Sequence, residues 1–307
     1  MKNLTTIIDY IRYSASEMSR AELYYGHGTD NALDEAASLV IGVLQLPFGL
    51  DIHYLQTNLT EPEKLQIINS LRARIDERVP VPYITHRTMY AGYELYIDER
   101  ALIPRSPIAE LVEKGLSPYW TGDRAPERIL DLCAGSGAIG IVAKYRYPQA
   151  EVVLADDDSD ALKVAEKNIA KCGMEGYNID ICHGDLFEHL EGKFDWILCN
   201  PPYVEAAEMS LIVEEFRHEP RHALVSGEDG LDLVRRILLE ACDYLSDDGL
   251  LVVEVGANWV NLENAYPEIG FEWAELERGG EGIFVVSCDE LKAWRESGLL
   301  NAVLPSM

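Results

Sequence analysis

From Pro126 onward the sequence alternates short apolar or β-branched runs with helix-patterned segments, and this alternation limits the possible folds more than any other feature. Residues 128–133, 151–155, 178–182, 194–199 and 250–255 read as strands. Residues 138–145, 159–171 and 231–244 read as helices between them. Residues 271–276 and 283–287 read as a closing antiparallel pair across a glycine-rich turn. Strands separated by helices predict an α/β fold: a doubly wound, mostly parallel sheet that binds ligands beyond the carboxyl ends of its strands.

The first 78 residues have a different period. Leu4, Ile7, Ile8 and Ile11 recur at helical spacing, as do Leu33, Ala36, Ala37 and Val40. Asn31 or Asp30 can cap the second helix, and Pro62 suits the first turn of a third that runs through Leu65, Ile68 and Leu71. Prolines and the alternating run Tyr93-Glu94-Leu95-Tyr96-Ile97 then suggest a hairpin. The expected organisation is a helical docking domain at 1–78, a hairpin linker at 79–104 and a catalytic domain at 105–307.

Charge and cysteine usage exclude several functions. The net charge is −27, with −22 of it after residue 103. Such a field repels phosphate backbones and favours basic partners, so direct nucleic acid binding is not expected. No run approaches the roughly 18 apolar residues of a membrane span, and the N-terminus lacks the pattern of a secretory signal. The six cysteines are scattered with no CxxC pair, which argues against a zinc ribbon or disulfide framework and suits the cytoplasm. No metal site is expected.

Two strand ends carry the chemistry. After the first strand comes Asp131-Leu132-Cys133-Ala134-Gly135-Ser136-Gly137-Ala138-Ile139-Gly140, a GxGxxG turn that lets backbone approach a nucleoside. Asp156, ending the second strand, can accept hydrogen bonds from ribose hydroxyls. Asp185 can accept from an adenine amino group while Leu186 covers the ring. The fourth strand closes on Asn200-Pro201-Pro202-Tyr203. The two prolines remove donors and leave carbonyls free, Asn200 adds an acceptor, and Tyr203 offers a flat wall. That array suits a planar group bearing NH₂, either a carboxamide or an exocyclic base amine. GxGxxG alone also permits an NAD-dependent oxidoreductase, but that reading leaves the tetrad without a role.

Taken together, the glycine loop, Asp156 and the NPPY tetrad resemble the class I S-adenosylmethionine-dependent methyltransferases that methylate amino groups. The stretches Leu102-Ile103-Pro104-Arg105-Ser106-Pro107-Ile108-Ala109-Glu110-Leu111 and Phe216-Arg217-His218-Glu219-Pro220 extend the resemblance to the protein glutamine methyltransferases. Within that family they are similar to the branch acting on large-subunit ribosomal protein L-three. Release factors as substrate, or a DNA adenine, are the alternatives.

The resemblance implies a class I methyltransferase-like, Rossmann-like sheet with an antiparallel C-terminal strand. It implies S-adenosyl-L-methionine as cofactor and S-adenosyl-L-homocysteine as product. Asp131, Cys133, Ala134, Gly135, Ser136, Gly137, Asp156, Asp185, Leu186 and Asn200 are the expected cofactor residues. Asn200, Pro201, Pro202 and Tyr203 are the expected catalytic ones. Cys133 and Ala134 depart from the Gly and Thr common at those positions, which reshapes the loop modestly. His183 and His218 are not assigned as bases.

Overall fold

The computed structural model describes residues 4–121 and 124–301. The chain divides into two compact units. The first is Met1–Glu99 with Ile103–Arg105 and Val213–Glu219; the second is Arg100–Leu102, Ser106–Ile212 and Pro220–Met307.

In the first unit, helices α1 (Ile7–Arg20), α2 (Ala32–Val43) and α3 (Glu61–Asp76) pack around Met18, Leu39, Val40 and Ile67. Asn31 caps α2 by accepting from the backbone N–H of Leu33 and Asp34. Pro62 stands in the first turn of α3, as its missing donor allows. The buried stripe of α3 differs from the expected one: Ile67, Leu71 and Arg74 face inward, whereas Leu65 is 62% exposed. Both stripes obey helical periodicity, and the neighbouring helices select between them.

Helix α4 (Val81–Thr85) and the antiparallel hairpin β1 (Thr88–Tyr90) and β2 (Tyr93–Leu95) also lie in this unit. Gly42 is what lets α2 approach α4, since a Cβ there would stand 2.6 Å from Thr85 Cγ2.

A buried ionic network brings the segment 213–219 into the first unit. Arg74 donates to Glu35, to Glu215 at 3.3 Å and to the Tyr24 carbonyl at 2.8 Å. Glu219 accepts from Arg105 at 2.9 Å, from His27 at 2.9 Å and from the Ile103 N–H at 3.1 Å. Burial opposes ionisation of Glu219, but the His27 hydrogen bond and the Arg105 charge outweigh it and hold the carboxyl below its ordinary range. The two stretches that marked the family thus meet in the Arg105–Glu219 pair.

The second unit is a seven-stranded sheet. Its strands are β3 (Arg128–Leu132), β4 (Glu151–Asp156), β5 (Ile179–His183), β6 (Phe194–Cys199), β7 (Leu245–Glu254), β8 (Glu272–Trp273) and β9 (Ile283–Ser287). They lie in the order β5-β4-β3-β6-β7-β9-β8, with β9 antiparallel to β7 and to β8 and the other pairs parallel. Sequential strands run outward from β3 to β5, and β6 then pairs with the other edge of β3, so the switch point lies between β3 and β6.

Helices α5 (Ile108–Glu113), α6 (Ala138–Arg146), α7 (Ser159–Lys171), α8 (Asp232–Glu240), α9 (Trp259–Ala265) and α10 (Cys288–Glu296) complete the unit. The sequence reading passed over α5, α9 and α10. Leu132, Ile197, Cys199, Val253 and Phe284 bury against Val234, Ile237 and Leu291 from α8 and α10. Strand β7 starts at Leu245, five residues earlier than expected. Ser246-Asp247-Asp248-Gly249, which lies outside both expected elements, forms an irregularity in the pairing with β6. The expected strand at 271–276 shrinks to the two residues of β8.

Candidate active site

Strand register assembles the site. Leu132 pairs with Ala155 on one side and Cys199 on the other, and Cys199 pairs with Val253. One residue further along each strand, Cys133, Asp156, Asn200 and Glu254 therefore reach the carboxyl edge at one level. A cleft opens there, enclosing about 680 Å³, part of it open to solvent.

The glycines divide by task. Gly135 has φ +54°, and a Cβ built on it meets nothing within 4 Å, so its face is open space. It also lines the cleft. Gly137 faces the protein instead: a Cβ would stand 2.8 Å from Leu154 Cδ1 and 3.1 Å from Ala165 Cβ. A Cβ on Gly140 would collide with the Leu154 side chain. Gly137 and Gly140 thus permit close helix–strand packing, and only Gly135 faces the ligand space. Cys133 also lines the cleft and adopts φ +57°, the left-handed region where the more common glycine carries no penalty.

Asp131 does not reach the cleft. Its side chain is fully buried, and Oδ2 accepts from the Gly140 N–H at 2.7 Å. Burial pushes its pKa well up, the Gly140 hydrogen bond acting in the opposite direction. Asp131 therefore anchors the start of α6 beneath the loop, because it pairs with Leu154, two rungs short of Asp156 at the carboxyl edge. Ser136 is buried too, and its carbonyl accepts from Asn168 at 3.0 Å. Ala134 is held in the turn by backbone bonds to Ala155 and Gly137.

Asp156 lines the cleft and braces the loop. Oδ2 accepts from Gly135 N–H at 2.7 Å and Oδ1 from Asp158 N–H at 2.9 Å. Burial raises its pKa, partly opposed by those two hydrogen bonds. A carboxylate has about four lone-pair sites, so about two remain for a ligand. Asp185 and Leu186 also line the cleft, and Arg236 grips Asp185 with two hydrogen bonds of 2.9 and 3.0 Å. Sequence reasoning also missed His222, which lines the cleft and pairs with Asp158 at 2.9 Å.

At the tetrad, Asn200 and Pro202 line the cleft and Pro201 is buried. Asn200 Oδ1 is buried without a hydrogen-bond partner among the described residues. Burying an acceptor unpaired is costly unless a donor arrives. Tyr203, next after Pro202, is not among the residues that line the cleft; its hydroxyl donates to Glu254 Oε1 at 3.1 Å. Its ring lies against Gly256, where a Cβ would come within 2.9 Å of it.

The open face of Gly135, the spare acceptors of Asp156 and the orphaned oxygen of Asn200 fit a nucleoside-bearing donor and an NH₂ group side by side. Among the described residues, no group of three or more His, Cys, Asp or Glu is arranged to hold a metal ion. None of the described helices is long and apolar enough to cross a membrane.

Residues 121–248 match the family model of the methyltransferase small domain. The ribosomal protein uL3 glutamine methyltransferase of Neisseria meningitidis serogroup A is 43% identical over 94% of this chain and 95% of its own. That of Neisseria gonorrhoeae is also 43% identical, over 94% and 97%. Among solved structures, the ribosomal protein L11 methylase of Lactobacillus delbrueckii subsp. bulgaricus is similar at 19% identity and TM-score 0.39, covering 59% of this chain and 77% of that one.

Proposed function

The chain belongs to the ribosomal protein uL3 glutamine methyltransferase family, and on that premise we propose that it methylates a glutamine side-chain amide nitrogen in uL3, using S-adenosyl-L-methionine. The observation that carries the chemistry is the buried, unpartnered Oδ1 of Asn200, a residue that lines the cleft level with Asp156 and the glycine loop.

When bound, S-adenosyl-L-methionine supplies a methyl group activated by the positive sulfur, and S-adenosyl-L-homocysteine remains. The protein's task is then alignment. Asp156, with spare lone pairs, would hold the ribose hydroxyls, and Asp185 and Leu186 would hold the base. Cys133, Ala134, Ser136 and Gly137 shape the turn that presents Gly135. Asp131 acts indirectly, by fixing α6 beneath that turn.

A glutamine amide nitrogen is a poor nucleophile because its lone pair is delocalised into the carbonyl. Asn200 Oδ1 and the Pro201 carbonyl each accept one amide hydrogen, which leaves the nitrogen's remaining face toward the methyl group. As positive charge grows on nitrogen, these acceptors stabilise it more than they did the ground state. Pro202 keeps the turn rigid, and Tyr203 holds the amide plane by packing. The N-methylated amide loses its proton to water, so no strong base is required.

The N-terminal unit is assigned to docking uL3, a basic protein that the −27 net charge attracts. Radiolabelled methyl transfer to purified uL3 and to release factors, with the modified residue mapped, tests the reading. Label on a uL3 glutamine, at a rate that falls with added salt, supports it. Label confined to release factors overturns the choice of substrate.

A further inference from the structure

Glu254 was not singled out from the sequence, yet it ends β7 level with Asn200 and is buried. Its two oxygens have different partners. Oε2 accepts from Ser106 Oγ at 2.6 Å, and Oε1 accepts from the Tyr203 hydroxyl at 3.1 Å. Ser106, also buried, accepts from the Ile108 N–H at 3.2 Å, so its own proton is directed to Glu254.

Tyr203 is fixed at two further points: its ring lies on Gly256, and its carbonyl accepts from Asn258 Nδ2 at 3.1 Å. Asn258 donates in turn to the Asp229 carbonyl at 2.9 Å. The carbonyl bond would form with any residue here, but the hydroxyl bond to Glu254 is specific to tyrosine. Ser106 also sits in one of the family-marking stretches, next to Pro107, which a Cβ on Gly280 would approach to 2.8 Å.

We propose that Ser106 and Glu254 are positioning residues for methyl transfer, holding the Tyr203 ring in the one orientation that clamps the plane of the acceptor amide. The proposal rests on the reading of Tyr203 as the wall of the amide site. Ser106 orients the Glu254 carboxylate, Glu254 takes the tyrosine hydroxyl, and the ring is thereby denied rotation about its χ1. A loosened ring would still permit cofactor binding, but the amide would meet the methyl group in fewer productive poses. The loss should therefore appear in kcat rather than in cofactor affinity.

The test is a double-mutant cycle on full-length protein with uL3 and S-adenosyl-L-methionine: wild type, Ser106→Ala, Tyr203→Phe and the double variant. Tyr203→Phe should lower kcat by about fivefold, and Ser106→Ala by about threefold in the wild-type background but by less than about 1.5-fold in the Tyr203→Phe background. Cofactor Kd should stay unchanged throughout. Equal factors in both backgrounds, or a loss confined to cofactor binding, overturn the proposal. Glu254→Gln keeps an acceptor for the tyrosine and should retain more turnover than Glu254→Ala.

A substrate-independent readout is ring-labelled tyrosine NMR, with the Tyr203 signal assigned by its loss in Tyr203→Phe. That signal should shift or broaden in Ser106→Ala. An unchanged signal refutes the network. If wild-type protein fails to methylate uL3, the reading of substrate falls while the NMR still decides the network.

Discussion

Adding one methyl group at Gly135 and at Gly140 should damage the protein in opposite ways, although both glycines belong to the same motif. At Gly135 the new Cβ meets nothing within 4 Å, so no packing is lost. The residue does sit at φ +54°, where an L side chain costs about 1–2 kcal/mol. Gly135→Ala should therefore fold with its melting temperature lowered by only a few degrees, at about 2–4 °C per kcal/mol for a domain of this size. The methyl group projects into the cleft, and S-adenosyl-L-homocysteine affinity should fall at least about tenfold, or ~1.4 kcal/mol.

At Gly140 the Cβ collides with Leu154, itself fully buried, and comes within 3.1 Å of Asp131 Oδ2. Overpacking costs about 1–3 kcal/mol. Disturbing the Asp131–Gly140 hydrogen bond adds about 0.5–1.5 kcal/mol. The helical preference of alanine over glycine returns about 1 kcal/mol. The net expectation is a loss of about 1–3 kcal/mol, with cofactor affinity retained in whatever protein is folded. Thermal unfolding and titration calorimetry on both variants decide the matter. A Gly135→Ala protein that binds like wild type, or a Gly140→Ala protein that is stable but blind to cofactor, would refute the division of labour.

Asp156→Ala should weaken cofactor binding by about 1–3 kcal/mol, because ribose hydroxyls and the Gly135 and Asp158 N–H groups lose their acceptor; unchanged affinity by calorimetry removes Asp156 from the site. Asn200→Ala should cut turnover far more than cofactor affinity, its oxygen being needed as charge develops, and wild-type kcat in that variant would end its assigned role. Buried Asp195 offers a pH test. Burial opposes its ionisation, yet Arg124, the Glu127 N–H and Ser246 together bring its pKa down to about 2. A depressed folded-state pKa stabilises the fold above the ordinary carboxylate value near 4, and that stability disappears as pH falls toward 2. Discounted for the solvent exposure of Arg124, the contribution is about 1–2 kcal/mol. Asp195→Asn should therefore be less stable than wild type at pH 7, with the gap narrowing on acidification below pH 5; a constant gap in chemical denaturation contradicts this.

Much of this protein is written in short-range pattern. The strand–helix alternation, the Asn31 cap, the Pro62 helix start and the tetrad's place at the end of β6 depend on residues a few positions apart, and such periodicities can be read directly. What the sequence left open was direction and partnership. Asp131 and Asp156 both lie near strand ends beside the glycine loop and on one face of the sheet, yet Asp131 pairs with Leu154, two rungs back, where α6 covers it, while Asp156 reaches the carboxyl edge and lines the cleft. Asp185 looked like a bare acceptor until α8 supplied Arg236. Glu219 looked like a family marker until His27 and Arg105 closed around it. Glu254 carried no local signal at all, since its importance depends on β6 and β7 pairing so that it arrives level with Asn200. Local propensity sets which element forms. Only the accumulated register of strands and the packing of distant helices decide which side chains meet, because those depend on every intervening residue at once.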